Sequence, residues 1–382
     1  MGHNRKIIYL AGFLFSMPIA LTSYINSSYL GTFVDESYVG IIYIVAAALS
    51  IIAMLFMDKI LTRFGNRQTS LLFSLLLAVS LLTLSFSGAP FLIIASFILY
   101  FLSINFVIAS LDIFVEDFSE KATIGRFRGL YLTLVNSSWV IAQLISGSVI
   151  NKSSLRGVYL LSAGFVLLVC VIFKLFLKNF KDPAYKKVPI LKNIEYFAEN
   201  KHISKIYLIN LILKFFFAWM IIYTPIYLHE YLLFGWDQIG IIFTIMLLPF
   251  VILEFPLGKL SDKIGEKKML IAGFLISAIF TLLIPLIVVP KLLFWALVLF
   301  ATRIGAATIE VMSESYFFKS VPEEDAEETA FFRNTGPLSF ILAPLVATPL
   351  LLFLPAFQYL FYVLGAVLLA GLWITLRLED VR

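Results

Sequence analysis

The chain has 382 residues, of which 61% are hydrophobic and 14% charged, and its mean hydropathy is +0.97. Soluble domains are roughly half apolar and a quarter charged, so a water-soluble fold is excluded. The net charge of +5 would suit nucleic acid, but the basic residues sit in short loops between apolar runs, where they orient membrane helices instead.

The apolar runs are continuous and about 20 residues long, enough to cross a hydrocarbon core of about 30 Å as helices. Barrel strands would alternate apolar and polar residues, and these runs do not. The first run follows Arg5-Lys6, as in a signal peptide, but continues to about Tyr29 and is followed by more, so it is expected to be retained. In chain order the predicted spans are 7–29, 38–57, 68–87, 91–113, 128–150 and 155–177, then 205–229, 238–257, 268–289, 292–313, 330–353 and 356–377. The fold class is all-α integral membrane, with 12 transmembrane helices in two six-helix bundles. Residues 1–177 form the N-terminal bundle, 178–204 a cytoplasmic linker and 205–382 the C-terminal bundle. Within the linker Ile190, Leu191, Ile194, Phe197 and Ala198 recur at helical spacing, which fits either a short interfacial helix or a solvated linker.

With the N-terminus inside, 24 of the 29 basic residues fall on the inner side and only Lys152, Arg156 and Lys291 on the outer. Both termini are therefore expected in the cytoplasm, in a cell membrane. The single Cys170 offers no disulfide, and His3, His202 and His229 lack metal-ligand spacing. No cofactor or metal is expected.

Two loops repeat 200 residues apart. Asp58 to Gln68 follows span two and Gly258 to Lys268 follows span eight, with Arg63, Gly65 and Arg67 aligning with Lys263, Gly265 and Lys267. The second loop resembles the signature Gly-x-x-x-Asp-Arg/Lys-x-Gly-Arg/Lys-Arg/Lys of the major facilitator superfamily, through Gly258, Asp262, Lys263, Gly265 and Lys267. Glu266 occupies a position usually basic, and the first copy departs at Asp58 and Thr62. The resemblance implies two pseudo-symmetric six-helix halves that expose a midplane site alternately.

It also implies a cytoplasmic gate. Asp262 would work against the start of span five near Arg126 and Arg128, Lys263 would meet Glu310 or Glu314, and Arg63 would pair with Asp112 or Glu116. Glycines there would let helix ends approach closely. A loop made basic only to fix topology is the plainer reading.

Two cations remain inside the membrane. Lys214 lies nine residues beyond Lys205, about 14 Å deep, and Arg303 twelve beyond Lys291, about 18 Å from the outer edge. Both approach the midplane, where two cations favour an anionic solute. Alternatively Lys214 snorkels to the inner surface, and Glu310, seven residues from Arg303, neutralises it. Further cavity candidates are Asn26, Asn105, Asn136 and Tyr223, with Thr22, Ser23, Gln143, Trp219 and Tyr227 nearby, although polar residues in spans often only join helices. Asp112, Glu254 and Glu310 are the coupling candidates, ahead of Glu314 and Glu230.

The leading expectation is a secondary transporter for a small solute, with or without a co-transported proton or ion, acting as a monomer in the bilayer. The alternatives are proton-coupled efflux of drug-like compounds and a non-transporting sensor or scaffold on the same fold. Span five lacks the Gly-Pro motif of the family's drug exporters; Gly336-Pro337 lies on span eleven. No nucleophile with its base and no nucleotide loop is present in the sequence, so neither an enzyme nor direct use of ATP is expected.

Overall fold

A computed structural model describes residues 2–117, 124–177, 180, 182–183, 185, 197, 199–287, 289–320 and 331–379. The side chains of 2–5, 116–117, 124–129, 132, 201, 254–255, 259 and 262 fall outside that description. Helices dominate, and no strand occurs among the described residues. Among the described residues eleven helices are long and apolar enough to cross a membrane, and a further apolar helix, Trp236–Ile252, has 17 residues. The chain divides into two compact units, Met1–Lys187 and Val188–Arg382.

In the first unit the helices are α1 (Gly2–Ser23), α2 (Asn26–Gly31), α3 (Glu36–Met54), α4 (Met57–Phe64), α5 (Asn66–Phe86), α6 (Pro90–Asp117), α7 (Ile124–Lys152) and α8 (Leu155–Phe176). The expected first span breaks at residues 24–25. Before that break the Thr22 and Ser23 hydroxyls donate back to the Pro18 and Ile19 carbonyls at 2.8 and 2.7 Å, a local bond that competes with helix continuation. Asp35 caps α3, accepting from the Ser37 hydroxyl and amide, which together hold its carboxyl below the usual range.

The second unit contains α9 (Lys201–Ile226), α10 (Trp236–Ile252), α11 (Glu254–Ile264), α12 (Glu266–Leu283), α13 (Leu292–Ser320), α14 (Thr335–Phe353) and α15 (Leu360–Leu376). Asn200 caps α9 through its side-chain oxygen, which accepts from the His202 and Ile203 amides. Past Pro225, α9 loosens into a π-helical turn over Tyr227–Tyr231.

Each unit packs by the same scheme. In the first, α5 lies against α6 and α8, α1 against α7 and α8, and α3 against α6. In the second, α12 lies against α13 and α15, α9 against α14 and α15, and α10 against α13. The correspondence is span by span. It extends to the loops, where α4 and α11 are short helices ending at Gly65 (φ 76°) and Gly265 (φ 90°). With ψ of 160° and 148°, both glycines adopt a backbone conformation that a side chain strains. Close approach of the helices within each unit buries large aromatic side chains such as Tyr43, Phe106, Trp219 and Trp295, while Leu72, Val79, Leu275 and Ile279 remain exposed as in a lipid-facing surface.

Candidate functional site

The charged residues of the second unit's spans are brought together by α9 and α13. Lys214 on α9 donates to Glu310 Oε1 on α13 at 2.6 Å, and both side chains are about a quarter exposed, 26% and 24%. Two turns along α13, Arg303 is only 1% exposed, with its guanidinium carbon 4.8 Å from the Phe216 ring centre and 5.8 Å from that of Phe217. Lys214 Nζ lies 5.3 Å from the same Phe217 ring. Phe217 is thus shared by two cations, each attracted by the electron-rich ring face. Helical spacing alone set Glu310 beside Arg303, but its carboxylate is bound to Lys214 across the helix pair.

The cluster is held by its neighbours. One turn before Lys214, Asn210 Nδ2 donates to Thr335 Oγ1 at 2.8 Å, fixing α9 against the start of α14. Phe250 meets Phe217 edge-on at 5.7 Å. Tyr223, further along α9, is 1% exposed and packs against Trp219 and Phe357 at 5.5 and 6.4 Å. Phe217 was not singled out from the sequence. Its signal was its place between Lys214 and Trp219, in a run of three phenylalanines that hydropathy alone makes ordinary.

In the first unit the polar residues form a buried network. Thr22 Oγ1 and Tyr100 Oη lie 2.6 Å apart, Asn26 Nδ2 donates to Tyr100 Oη at 3.5 Å, and Tyr159 donates to Asn26 Oδ1 at 2.8 Å. Asn26 therefore joins three spans, those of α2, α6 and α8. Gln143 Nε2 donates to the Ala20 carbonyl at 2.8 Å, joining α7 to α1. Asn105 donates to the Phe101 carbonyl on its own helix, and Asn136 is half-buried on α7.

The helix ends expected to act as a gate are arranged differently from the expectation. Lys263 is exposed and pairs with neither Glu310 nor Glu314, because Glu310 is already held by Lys214. Arg63 is exposed over the Phe64 ring at 5.3 Å and makes no ion pair with Asp112. Asp112 is half-buried on α6. Arg67 instead caps α8, donating to the Phe173 and Lys174 carbonyls at 3.0 and 2.8 Å, where the helix dipole favours a cation. Close approach does not explain Gly258, since a Cβ there would meet open space. The side chains of Asp262, Glu254, Glu116, Arg126 and Arg128 lie outside the described residues, and Lys267 is half-buried.

Two acids whose partners the sequence did not reveal hold these ends. Glu266, 3% exposed, accepts from Lys319 Nζ at 2.5 Å and Ser315 Oγ at 3.1 Å. The acid at the usually basic position is thus matched by a lysine on α13. In the first unit Asp182 accepts from the Asn66 backbone amide at 2.6 Å and from the Tyr185 hydroxyl at 2.5 Å, capping α5 from the segment after α8.

Comparison with known proteins extends this picture. A family model described as Major Facilitator Superfamily matches residues 8–238 and 222–382. No curated protein sequence matches. Among solved structures, the nucleoside transporter NupG, crystallised as a point mutant, is similar over 98% of this chain and 99% of its own, with a TM-score of 0.77 and 12% identity. A POT family transporter in complex with 5-aminolevulinic acid has a TM-score of 0.79 and 16% identity, over 98% of this chain and 95% of that one. A bacterial homolog of the human lysosomal transporter Spinster, inward-facing and unoccupied, has a TM-score of 0.72 and 12% identity over the same shares, 98% and 95%. At these identities the structures establish the fold, and the family model covers nearly every residue: this integral membrane protein belongs to the major facilitator superfamily.

Proposed function

We propose that the chain is a secondary active transporter that moves a small solute bearing an anionic group, by alternating exposure of a site near the bilayer midplane. The observation that carries this reading is the grouping of Lys214, Arg303 and Glu310 around Phe217 inside the second unit. Ionisable groups are costly within a bilayer and mark solute or proton pathways by default. A guanidinium presents a planar fork suited to a carboxylate or phosphate, and an ammonium supplies a second point of attraction.

The arrangement also offers a route to coupling. A solute carboxylate approaching Phe217 competes with Glu310 for Lys214. The carboxylate so displaced is the group in this cluster open to a co-transported proton. Solute and proton would then bind together, with Glu310 as the coupling acid. Asp112 and Glu254 remain secondary candidates for that role. Within the first unit, Asn105 and Asn136, the latter half-buried on α7, stay as candidates for contact with solute. We place both termini in the cytoplasm and read the monomer as the working unit.

The similar structures include a nucleoside transporter and transporters holding 5-aminolevulinic acid or a thioalcohol-conjugated peptide. That range leaves the solute open, and the intramembrane cations argue for its anionic group. The test is a thermal-shift screen of the purified protein against small carboxylates, organic phosphates, neutral sugars and lipophilic cations. At least one anion is expected to raise the unfolding temperature, and Arg303→Ala should abolish that shift. Stabilisation by lipophilic cations alone, unchanged in Arg303→Ala, would instead support the drug-efflux reading.

A further inference from the structure

The short helix α4 has two unlike faces. Met57 and Leu61 are 8% and 5% exposed and pack into the first unit. The opposite face carries Phe56, Lys59 and Arg63, which recur three and four residues apart and therefore line up along the helix. Phe56 is 50% exposed and Phe64, at the helix end, 46%; Leu55 just before the helix is likewise exposed. Each cation lies over one of these rings: Lys59 Nζ is 5.3 Å from the centre of Phe56, and Arg63 Cζ 5.3 Å from that of Phe64. Among the described residues neither cation forms an ion pair. Asp58 lies on the other side of the helix, and Asp182 is occupied by the Asn66 amide and the Tyr185 hydroxyl.

Water is a poor neighbour for two exposed phenylalanines, and hydrocarbon a poor one for two exposed cations. The boundary between headgroups and acyl chains suits both, because rings settle at the glycerol level while ammonium and guanidinium groups reach phosphate. The helix lies immediately after the second span, at its membrane end, since α3 stops at Met54. The geometry points to a site for an anionic phospholipid on α4, with Lys59 and Arg63 holding the headgroup phosphate and Phe56 and Phe64 seated against the acyl chains. The cations would leave their own rings only partly, because a ring and a phosphate can flank the same cation. Negative net charge is what distinguishes the ligand: a zwitterionic headgroup offers the same phosphate with a compensating amine.

This assignment is independent of the solute and its pathway. The test uses the full-length protein bearing Phe56→Trp, reconstituted in phosphatidylcholine vesicles. Brominated phosphatidylglycerol or brominated phosphatidylcholine is added as a quencher, with the unsubstituted protein giving the background from its own five tryptophans. Quenching at position 56 should favour phosphatidylglycerol by on the order of fivefold for each engaged cation. Lys59→Gln and Arg63→Gln should each remove about one such factor, and raising the salt concentration should reduce the preference of the unaltered cations in the same direction. Equal quenching by the two lipids would overturn the proposal. So would a preference that persists through both substitutions and high salt, which would place the anionic lipid elsewhere. Should either Gln variant fail to reconstitute, the salt series on Phe56→Trp alone decides the matter.

Discussion

At the scale of single residues, the Lys214–Glu310 pair sets a clear energetic expectation. Neither side chain is fully buried, so the pair is worth less than a dry interior bridge, yet removing one partner strands the other inside a span. Glu310→Gln should lower stability by about 1–3 kcal/mol, below the ~3–5 kcal/mol of a fully buried pair. Replacing both residues with apolar ones, Lys214→Met with Glu310→Leu, should recover most of that loss. Denaturation of the purified protein in mild detergent measures it; strictly additive losses would show that the two groups are not coupled. Gly65 offers a second test. Its φ of 76° strains any side chain, and a Cβ would come 2.5 Å from Asp182 Oδ2. Gly65→Ala should therefore cost about 1–3 kcal/mol in backbone strain and weaken the Asp182 cap of α5 as well. In the same unfolding measurement, an unchanged midpoint would mean that the turn relaxes freely.

Helix packing decides which glycines matter at the scale of elements, and here sequence and structure part. The repeat drew attention to Gly258, Gly65 and Gly265 alike, because motif spacing marks a loop without saying which glycine is crowded. A tight backbone-to-backbone crossing lies elsewhere. A Cβ on Gly305 of α13 would stand 2.3 Å from Ser277 Oγ and 2.4 Å from the Gly273 carbonyl of α12, and one on Gly273 would stand 3.0 Å from the Gly305 carbonyl. Two small residues meeting backbone to backbone are a common device of membrane helix pairs, where close approach replaces the hydrophobic effect. Gly305→Ala should thus destabilise the second unit by about 1–3 kcal/mol through overpacking. Gly258→Ala, pointing into open space within α11, should be neutral or stabilise by about 0.4–1 kcal/mol, since alanine is the better helix former. The ordering is the test, read as thermal midpoints of the two variants side by side. Partner choice was hidden in the same way. Glu266 reads as a motif departure until Lys319 is seen against it, and Glu310 lies within helical reach of Arg303 but bonds across to Lys214. Periodicity reports faces of one helix and is silent on which face of another it meets.

The whole molecule was the most legible level. Span length and composition follow from bilayer thickness, and the two-hundred-residue repeat is expressed as one packing scheme used twice, down to the paired left-handed glycines. The break after Ser23 and the π-helical turn past Pro225 were not legible, because hydropathy averages over a window longer than either feature. Orientation rests on a separate argument, the confinement of all but a few of the 29 basic residues to one side. It can be tested on one helix. Lys268, in the first turn of α12, and Lys291, beyond the short extension Ile284–Leu286, are both exposed. If this segment crosses the membrane, the two positions must face opposite compartments. With the buried Cys170 replaced by serine, Lys291→Cys should react with an impermeant maleimide on intact cells, and Lys268→Cys only after permeabilisation. Labelling of both from one side would break the span itself. Exchange of the two sides would leave the span standing and invert the molecule, so that the basic loops, including Lys59 and Arg63, faced the exterior.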